Sequence, residues 1–142
     1  MRKESPKVTK IYYPRGLEIP REIYYSTIWF IRGYDRMKEE AEELLTMPPR
    51  LDGMPKGNNK SDPTYAAAER RASVLKDIKA IEDALAEIPA AYREAVFENV
   101  AHQVPEYKLA ISYYSTDSTL QRWRVRFVIG VARNRGLWNG RE

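Results

Sequence analysis

The chain contains no cysteine, a single histidine and no long apolar run. Without cysteine it can form neither a disulfide framework nor a thiolate zinc site, and its composition suits a reducing compartment. No apolar stretch approaches the roughly 20 residues that span a bilayer, and the basic segment MRKESPKVTK is not followed by the apolar region of a signal peptide. We therefore expect a soluble, cytoplasmic protein without a membrane partner.

The residue patterns of catalytic and cofactor sites are also lacking. The seven glycines form neither a P-loop nor a dinucleotide-binding fingerprint, so we expect no nucleotide hydrolysis. His102 has no cysteine partner, and a lone histidine on a short helix is far more often structural or exposed than a base or a metal ligand. We expect no enzymatic activity, no metal site and no cofactor.

The first 60 residues divide into an arm, a long helix and a loop. Residues 1–19 mix Lys, Pro and Gly with apolar side chains and predict an arm that lies against a domain. The 3-4-3 spacing of apolar residues after Pro20 predicts one helix to about Thr46, weakened in its middle by Gly33. Its inward positions are Tyr24, Thr27, Ile31, Tyr34, Met37, Ala41 and Leu44. Three prolines and two glycines between 47 and 60 predict a long mobile loop.

The acidic run of glutamates between 39 and 43, at the end of the first long helix, has two interpretations. It is a solvated helix face or a docking surface for a basic partner, and the first is the more usual.

A second long helix is predicted from 63 to 88, with Asp62 as its cap and Pro63 in its first turn. Its predicted inward positions are Ala68, Ala72, Leu75, Ile78, Ile81, Leu85 and Ile88. Two helices of about 25 residues can return antiparallel across the loop as a hairpin, which we regard as the scaffold.

Two shorter helices and an arginine-rich helix complete the predicted all-α fold. The inward residues are Tyr92, Ala95, Val96 and Val100 in the first short helix and Tyr107, Ala110, Ile111 and Tyr114 in the second. Two short helices, a tight polar turn and a longer helix form the element order of a helix-turn-helix module. Residues 61–142 would therefore hold the second long helix and this module, in one cooperative unit with residues 1–60.

The arginine-rich helix occupies the stretch 117–136, DSTLQRWRVRFVIGVARNRG. Residues 115–118 favour an N-cap, and Gly136 suits a left-handed C-cap. At about 100° per residue, one face carries apolar side chains, which are Leu120, Trp123, Phe127 and Val131. The opposite face carries Arg122, Arg126 and Arg133 together with Ile129.

The net charge of +4 lies entirely in residues 115–142, which hold six arginines and two acids, whereas the preceding 114 residues balance 18 basic against 18 acidic side chains. Arginine pairs bidentately with phosphate or with a guanine edge, and a helix fits the major groove. We predict that helix 118–135 reads double-stranded DNA through Ser118, Thr119, Gln121, Arg122 and Arg126, with Arg133 and Arg135 at the backbone. A solvated basic helix at the end of a bundle is the alternative.

Ten tyrosines and three tryptophans would also suit base stacking on single strands. Tyr24, Tyr34, Tyr92 and Trp123 nevertheless have core spacing, which favours packing. Tyr113, Tyr114 and Trp138 flank the arginine-rich helix and suit either a phosphate contact or a subunit interface.

Several short motifs make the chain resemble the RinA/ArpU group of phage regulators. They are SDPT at 61–64, IE at 81–82, AL at 84–85, YR at 92–93 and STLQRWR at 118–124. These regulators are similar in their C-terminal half to the region 4 helix-turn-helix of sigma factors. The resemblance covers residues 61–136 best.

The resemblance implies a transcriptional activator of phage or prophage late genes without enzymatic activity. A single module offers a small contact area, so we expect a homodimer on two half-sites, or docking on RNA polymerase beside a promoter. The alternative keeps the same fold in a small phage assembly or adaptor protein, such as an oligomer similar to a terminase small subunit.

Overall fold

Six α-helices and no strand make up the part of the chain that the structure describes, which confirms the all-α prediction. The computed structural model describes residues 13–14, 16–45, 63–113 and 115–140. The helices are α1 Arg21–Arg32, α2 Tyr34–Leu45, α3 Pro63–Ala86, α4 Ala90–Ala101, α5 Glu106–Ser112 and α6 Asp117–Asn134. Most of the predicted arm, the predicted loop at 47–60, Thr46, Asp62 and Tyr114 lie outside the described residues.

The helix predicted to run unbroken from Pro20 is divided into α1 and α2 by Gly33. The Gly33 amide donates to the Phe30 carbonyl at 3.0 Å in a tight turn, and the Met37 amide then donates to the Gly33 carbonyl at 2.9 Å. Glycine is the weakest helix former apart from proline, which explains a break at this position. The predicted inward face is retained: Tyr24, Thr27, Ile31, Met37 and Ala41 are buried, and Tyr34 and Leu44 are half-buried.

The contacts between α2 and α3 join the end of each helix to the start of the other. Arg70 near the start of α3 forms a bidentate ion pair with Glu40 near the end of α2, with N···O distances of 2.6 and 3.1 Å. At the other end, the Tyr34 hydroxyl donates to the Glu82 carboxylate. The two helices are therefore antiparallel.

The inward face of α3 differs from the predicted one in its first half. Ala68, Ala72 and Leu75 are exposed, whereas Val74 is buried and Arg71 is half-buried. Arg71 Nε donates to the Ala41 carbonyl near the end of α2 at 3.1 Å, so a long polar side chain occupies a contact position. The predicted positions Ile78, Ile81 and Ile88 are buried, and Leu85 is half-buried.

The end of α3 is capped by a side chain from α4. The Arg93 guanidinium donates to the carbonyls of Leu85, Ala86 and Ile88 at 2.9–3.2 Å. These carbonyls belong to the last turn and the following residues, where a helix leaves acceptors without intrahelical partners. Arg93 thereby fixes the corner between α3 and α4.

The short helix α5 turns a different face inward from the predicted one. Leu109 is buried against Ala95 and Leu120, whereas Tyr107 and Ile111, both predicted inward, are 60% and 75% exposed. A helix of seven residues buries only a narrow stripe, and here the single leucine occupies it. The α4 positions Ala95, Val96 and Val100 are buried as predicted, and Tyr92 is half-buried.

Helix α6 lies at the centre of the bundle and packs against α1, α3, α4 and α5. Its approach to α3 is close at Gly130, where an added Cβ would lie 3.1 Å from the Ala84 Cβ. The Asn134 side-chain amide donates to the Ala80 carbonyl at 3.0 Å and ties the same two helices one turn further along. The absence of a side chain at residue 130 sets the distance between α3 and α6.

We predict that Gly130→Leu destabilises the fold by about 1 to 3 kcal/mol, because the new side chain must displace α3. Urea denaturation of the variant and the wild type measures the difference. Lys76→Leu on the exposed face of α3 is the control and should change stability by less than about 0.5 kcal/mol. A Gly130→Leu protein as stable as the wild type would show that the two helices do not approach closely.

The imidazole of His102 joins the start of α2 to the end of α4. Its Nε2 lies 2.7 Å from an Asp35 carboxylate oxygen and its Nδ1 lies 2.8 Å from one of Glu98. Partial burial lowers the pKa of His102, but the hydrogen bonds to the two carboxylates raise it by a larger amount. The pKa of His102 therefore lies above the ordinary value. The protonated ring is the form that both carboxylates favour.

The raised pKa of His102 predicts a pH-dependent stability. Its contribution is fully present below the unfolded-state pKa of about 6.5 and is lost as the pH rises through the folded-state pKa. The stability difference between wild type and His102→Gln should therefore shrink from about pH 6 to pH 9 in urea denaturation. His102 is the only histidine in the sequence, so no other imidazole interferes. A difference that stays constant over this range would contradict the ion pairs.

Candidate nucleic-acid interface

Sequence signals at both ends of α6 correspond to its observed caps. Thr116 is the N-cap, and its hydroxyl oxygen accepts the Thr119 amide at 3.2 Å. At the other end Gly136 adopts a left-handed conformation with φ of 76°. The Gly136 amide donates to the Arg133 carbonyl and the Leu137 amide to the Ala132 carbonyl, the paired bonds of a Schellman motif. These caps fix where α6 begins and ends.

The inward face of α6 is largely the predicted one. Leu120, Phe127 and Val131 are buried, and Trp123 is half-buried. The Trp123 ring stacks on Tyr92 of α4, with centroids 6.0 Å apart and planes inclined by 20°. This stack packs the middle of α6 against α4.

Ile129 and Arg124 depart from the sequence-based view of α6. Ile129 lies on the arginine side of α6 as predicted but is only 2% exposed, because the helix is covered on more sides than a single apolar stripe implies. Arg124 is only 3% exposed although it is charged. The three arginines predicted on the cationic face, Arg122, Arg126 and Arg133, are all exposed.

The buried Arg124 is held by groups from two other helices. Its guanidinium forms an ion pair with the Glu106 carboxylate of α5, and its Nε lies 3.5 Å from the Tyr24 hydroxyl of α1. Burial raises the pKa of the Tyr24 phenol, although Arg124 lowers it in part, and the hydroxyl therefore stays protonated. The cluster joins α1, α5 and α6 at one point.

Four of the predicted DNA-contacting residues line one open groove on the exposed side of α6. Ser118, Gln121, Arg122 and Arg126 are exposed and lie around a depression of about 490 Å³. Val125 and Ile129 supply apolar surface within it, and Pro14 borders it from the segment before α1. We call this surface the α6 groove.

The other three predicted contact residues lie outside the lining of the α6 groove. Thr119 is half-buried, and its hydroxyl takes part in the cap with Thr116 at 2.8 Å. Arg133 donates to the Gly140 carbonyl at 2.7 Å. The Arg135 guanidinium lies 3.7 Å from the centroid of the Phe30 ring. Both arginines are nevertheless exposed.

A small polar pocket connects Arg126 to Arg133 along the same side of α6. It has a volume of about 60 Å³ and is also lined by Glu87, Gly130 and Asn134. The arginine stripe therefore continues from the α6 groove towards the end of α3, where one carboxylate lies among the cations.

Two of the aromatic residues whose role the sequence leaves open, Tyr113 and Trp138, have contacts within the chain. The Tyr113 hydroxyl donates to the Glu94 carboxylate. Trp138 is half-buried against the main core. Tyr113 accordingly contributes to the contact between helix α4 and the turn that precedes α6.

Metal-binding clusters and membrane-spanning helices were sought among the described residues. No group of three or more His, Cys, Asp or Glu side chains there is arranged to hold a metal ion. None of the described helices has the length and apolarity needed to cross a bilayer.

Comparisons with known proteins found no match for this chain among family models, curated proteins or solved structures.

We predict that Glu106→Gln destabilises the protein by about 2 to 4 kcal/mol. Removing one partner leaves the other charge buried and uncompensated, and the partial exposure of Glu106 moderates the cost. Urea denaturation of Glu106→Leu, Arg124→Met and the double variant Glu106→Leu/Arg124→Met forms a double-mutant cycle, in which the double variant should lose less stability than Glu106→Leu alone. A loss below about 0.5 kcal/mol in Glu106→Gln would indicate that Arg124 is hydrated in solution.

Proposed function

We propose that the protein is a DNA-binding transcriptional regulator that reads duplex DNA with the exposed side of α6. One observation carries the proposal: the four polar residues of the α6 groove are exposed together on a helix whose opposite face is fixed in the core. A helix held on one side and open on the other suits insertion into a major groove.

The positions of the arginines along α6 suggest that they contact different parts of the DNA. Gln121 and Arg122 lie in the first turns after the Thr116 cap, the part of a recognition helix that usually reaches base edges. Arg133 lies about 16 Å further along the helix axis, at 1.5 Å per residue, where contact with the phosphate backbone is expected.

Helices α4, α5 and α6 supply the elements of a helix-turn-helix module in this proposal. The α5–α6 turn contains no positive φ among its described residues. It is held by the Ser115 amide, which donates to the Ala110 carbonyl at 2.9 Å, and by the Arg124–Glu106 pair. A turn fixed in this way would keep the recognition helix in register with the helix before it.

The regulatory role within this proposal rests on the sequence resemblance alone. It is the activation of phage or prophage late genes from promoter DNA by a homodimer or beside RNA polymerase. A groove on one helix is small for a specific interface, which supports the expectation of a second half-site or of a protein partner.

The proposal predicts that Arg122→Ala and Arg133→Ala differ in kind. Arg122→Ala should weaken binding to a site selected from random duplex by about 1 to 3 kcal/mol, because a base contact is lost. Its binding to random DNA should weaken much less. Arg133→Ala should weaken both similarly and reduce the slope of log K against log salt by about one. Fluorescence anisotropy across a salt series measures both effects.

Lys76→Ala on the exposed face of α3 is the matched control, since it removes the same charge away from α6. It should bind both DNAs like the wild type. If Arg122→Ala and Arg133→Ala also bind like the wild type, or the wild type selects no duplex, α6 is not a DNA-reading helix.

A subunit of a phage assembly is the second candidate, and one observation favours it. Tyr107 and Ile111 are exposed one turn apart on α5, and large exposed apolar side chains commonly mark interfaces. Light scattering that gives a ring-sized mass, reduced by Ile111→Asp, together with DNA binding that depends on the ring, would favour this candidate. A promoter-selective footprint from a monomer or dimer would count against it.

A further inference from the structure

The floor of the α6 groove is apolar. Val125 and Ile129 of α6 line it, and Pro14 closes one side. Ile129 is only 2% exposed, whereas Val125 is half-buried. Part of the Val125 side chain packs against the main core, and the remainder faces the groove. Val125 therefore supplies most of the apolar surface that α6 offers to a ligand in the groove.

Val125 lies in the middle of the surface that is proposed to read DNA. At about 100° per residue it falls between Gln121 and Arg122 around the helix axis, about 40° from the first and about 60° from the second. A valine in a helix has one strongly preferred χ1 rotamer, and contact with the core restricts it further. The methyl groups of Val125 are thus held at a defined place between two polar side chains.

The side of the groove opposite α6 is also fixed, because Tyr13 attaches Pro14 to the bundle. The Tyr13 amide donates to the Tyr25 hydroxyl oxygen at 2.9 Å, and the Tyr13 hydroxyl donates to the Leu17 carbonyl at 3.0 Å. The Tyr13 ring meets Tyr24 edge-on, with centroids 5.5 Å apart. These contacts form the groove within the chain itself, before any ligand is bound.

Charge and apolar surface together indicate which ligand the α6 groove suits. In the described part of the chain, its lining includes the cations Arg122 and Arg126 and no carboxylate. Two cations beside an apolar floor favour a ligand that is anionic overall and carries a small apolar group. Duplex DNA meets both conditions, since its phosphates are negative and thymine presents a methyl group in the major groove.

We propose that Val125 is a specificity-determining residue, which contacts the 5-methyl group of a thymine in the site read by α6. This inference rests on the proposed function of α6. Arginine most commonly pairs with a guanine edge, and Val125 lies about 4.5 Å beyond Arg122 along the helix axis. Successive bases are about 3.4 Å apart, so the thymine lies about one or two base pairs from the guanine that Arg122 contacts.

The test first removes the methyl group from the DNA. Uracil replaces each thymine of the selected site in turn, which deletes the methyl group and keeps the base pair. Wild-type affinity should fall by about 4-fold at one thymine, the change that corresponds to burial of one methyl-sized group. That thymine should lie beside the guanine at which Arg122→Ala relaxes the preference. Fluorescence anisotropy at constant salt measures the affinities.

The second arm removes the methyl groups from the protein. Val125→Ser keeps a similar helix propensity and should bind the thymine and uracil forms of the site equally, because the contact has lost its other partner. Leu45→Ser is the control, since it removes an exposed apolar side chain at the end of α2. It should keep the wild-type preference for thymine over uracil. Thermal melting verifies that both variants are folded, and the uracil series with wild-type protein needs no variant.

The outcomes separate this inference from the proposed function. If the wild type selects a site in which no thymine is sensitive to loss of its methyl group, Val125 reads no thymine while α6 remains the reading helix. A Val125→Ser protein that still prefers thymine to uracil at the sensitive position also overturns the inference. A wild type that selects no duplex removes both proposals.

Discussion

The burial of Arg124 is the interaction on which the arrangement of α5 and α6 depends. Removing a guanidinium from water costs several kcal/mol, and only a carboxylate with further hydrogen-bonding groups can offset that cost. Glu106 and the Tyr24 hydroxyl provide those groups from α5 and α1. Since an ion pair of this kind tolerates little displacement, α5 can take few positions relative to α6. Apolar contacts, which are less directional, would allow the short α5 to slide.

The packing of α6 against α3 and α4 explains why one helix contributes to both the core and the surface. Gly130 draws α6 against α3, and the Trp123 stack on Tyr92 holds its middle against α4. With these sides occupied, the strip that holds Ser118, Gln121, Arg122, Arg126 and Arg133 faces solvent on a helix that is packed on its other sides. In the proposed function this packing would position the contacting groups before DNA arrives, which reduces the entropy lost on binding.

The sequence predicts α6 well because its limits are set by local chemistry. A threonine that accepts an amide in the first turn and a glycine that tolerates positive φ act over a few residues, and apolar spacing identifies most of the inward face. The prediction fails where a distant partner decides burial. The residues around Arg124 in the sequence do not indicate that it pairs with Glu106. Leu109 rather than Tyr107 faces inward because Ala95 and Leu120 lie opposite it. The shift from Leu75 to Val74 in α3 likewise follows from contact with α2, since α3 alone has apolar residues on both faces.

The burial of Arg124 also changes the meaning of the charge distribution. Glu106 neutralises one of the six arginines that the sequence assigns to the C-terminal region, so the surface charge of α6 comes mainly from Arg122, Arg126, Arg133 and Arg135. The acidic end of α2 contacts α3 at Arg70, about 20 Å along the α3 axis from Ala84, where α3 meets α6. Arg70 thus offsets part of the acidic charge at that end, whereas Arg126 and Arg133 of α6 have, in the described part of the chain, the single carboxylate of Glu87 beside them. Exposed arginines attract a polyanion before contact, and in the proposed function this attraction would speed the encounter of α6 with the duplex.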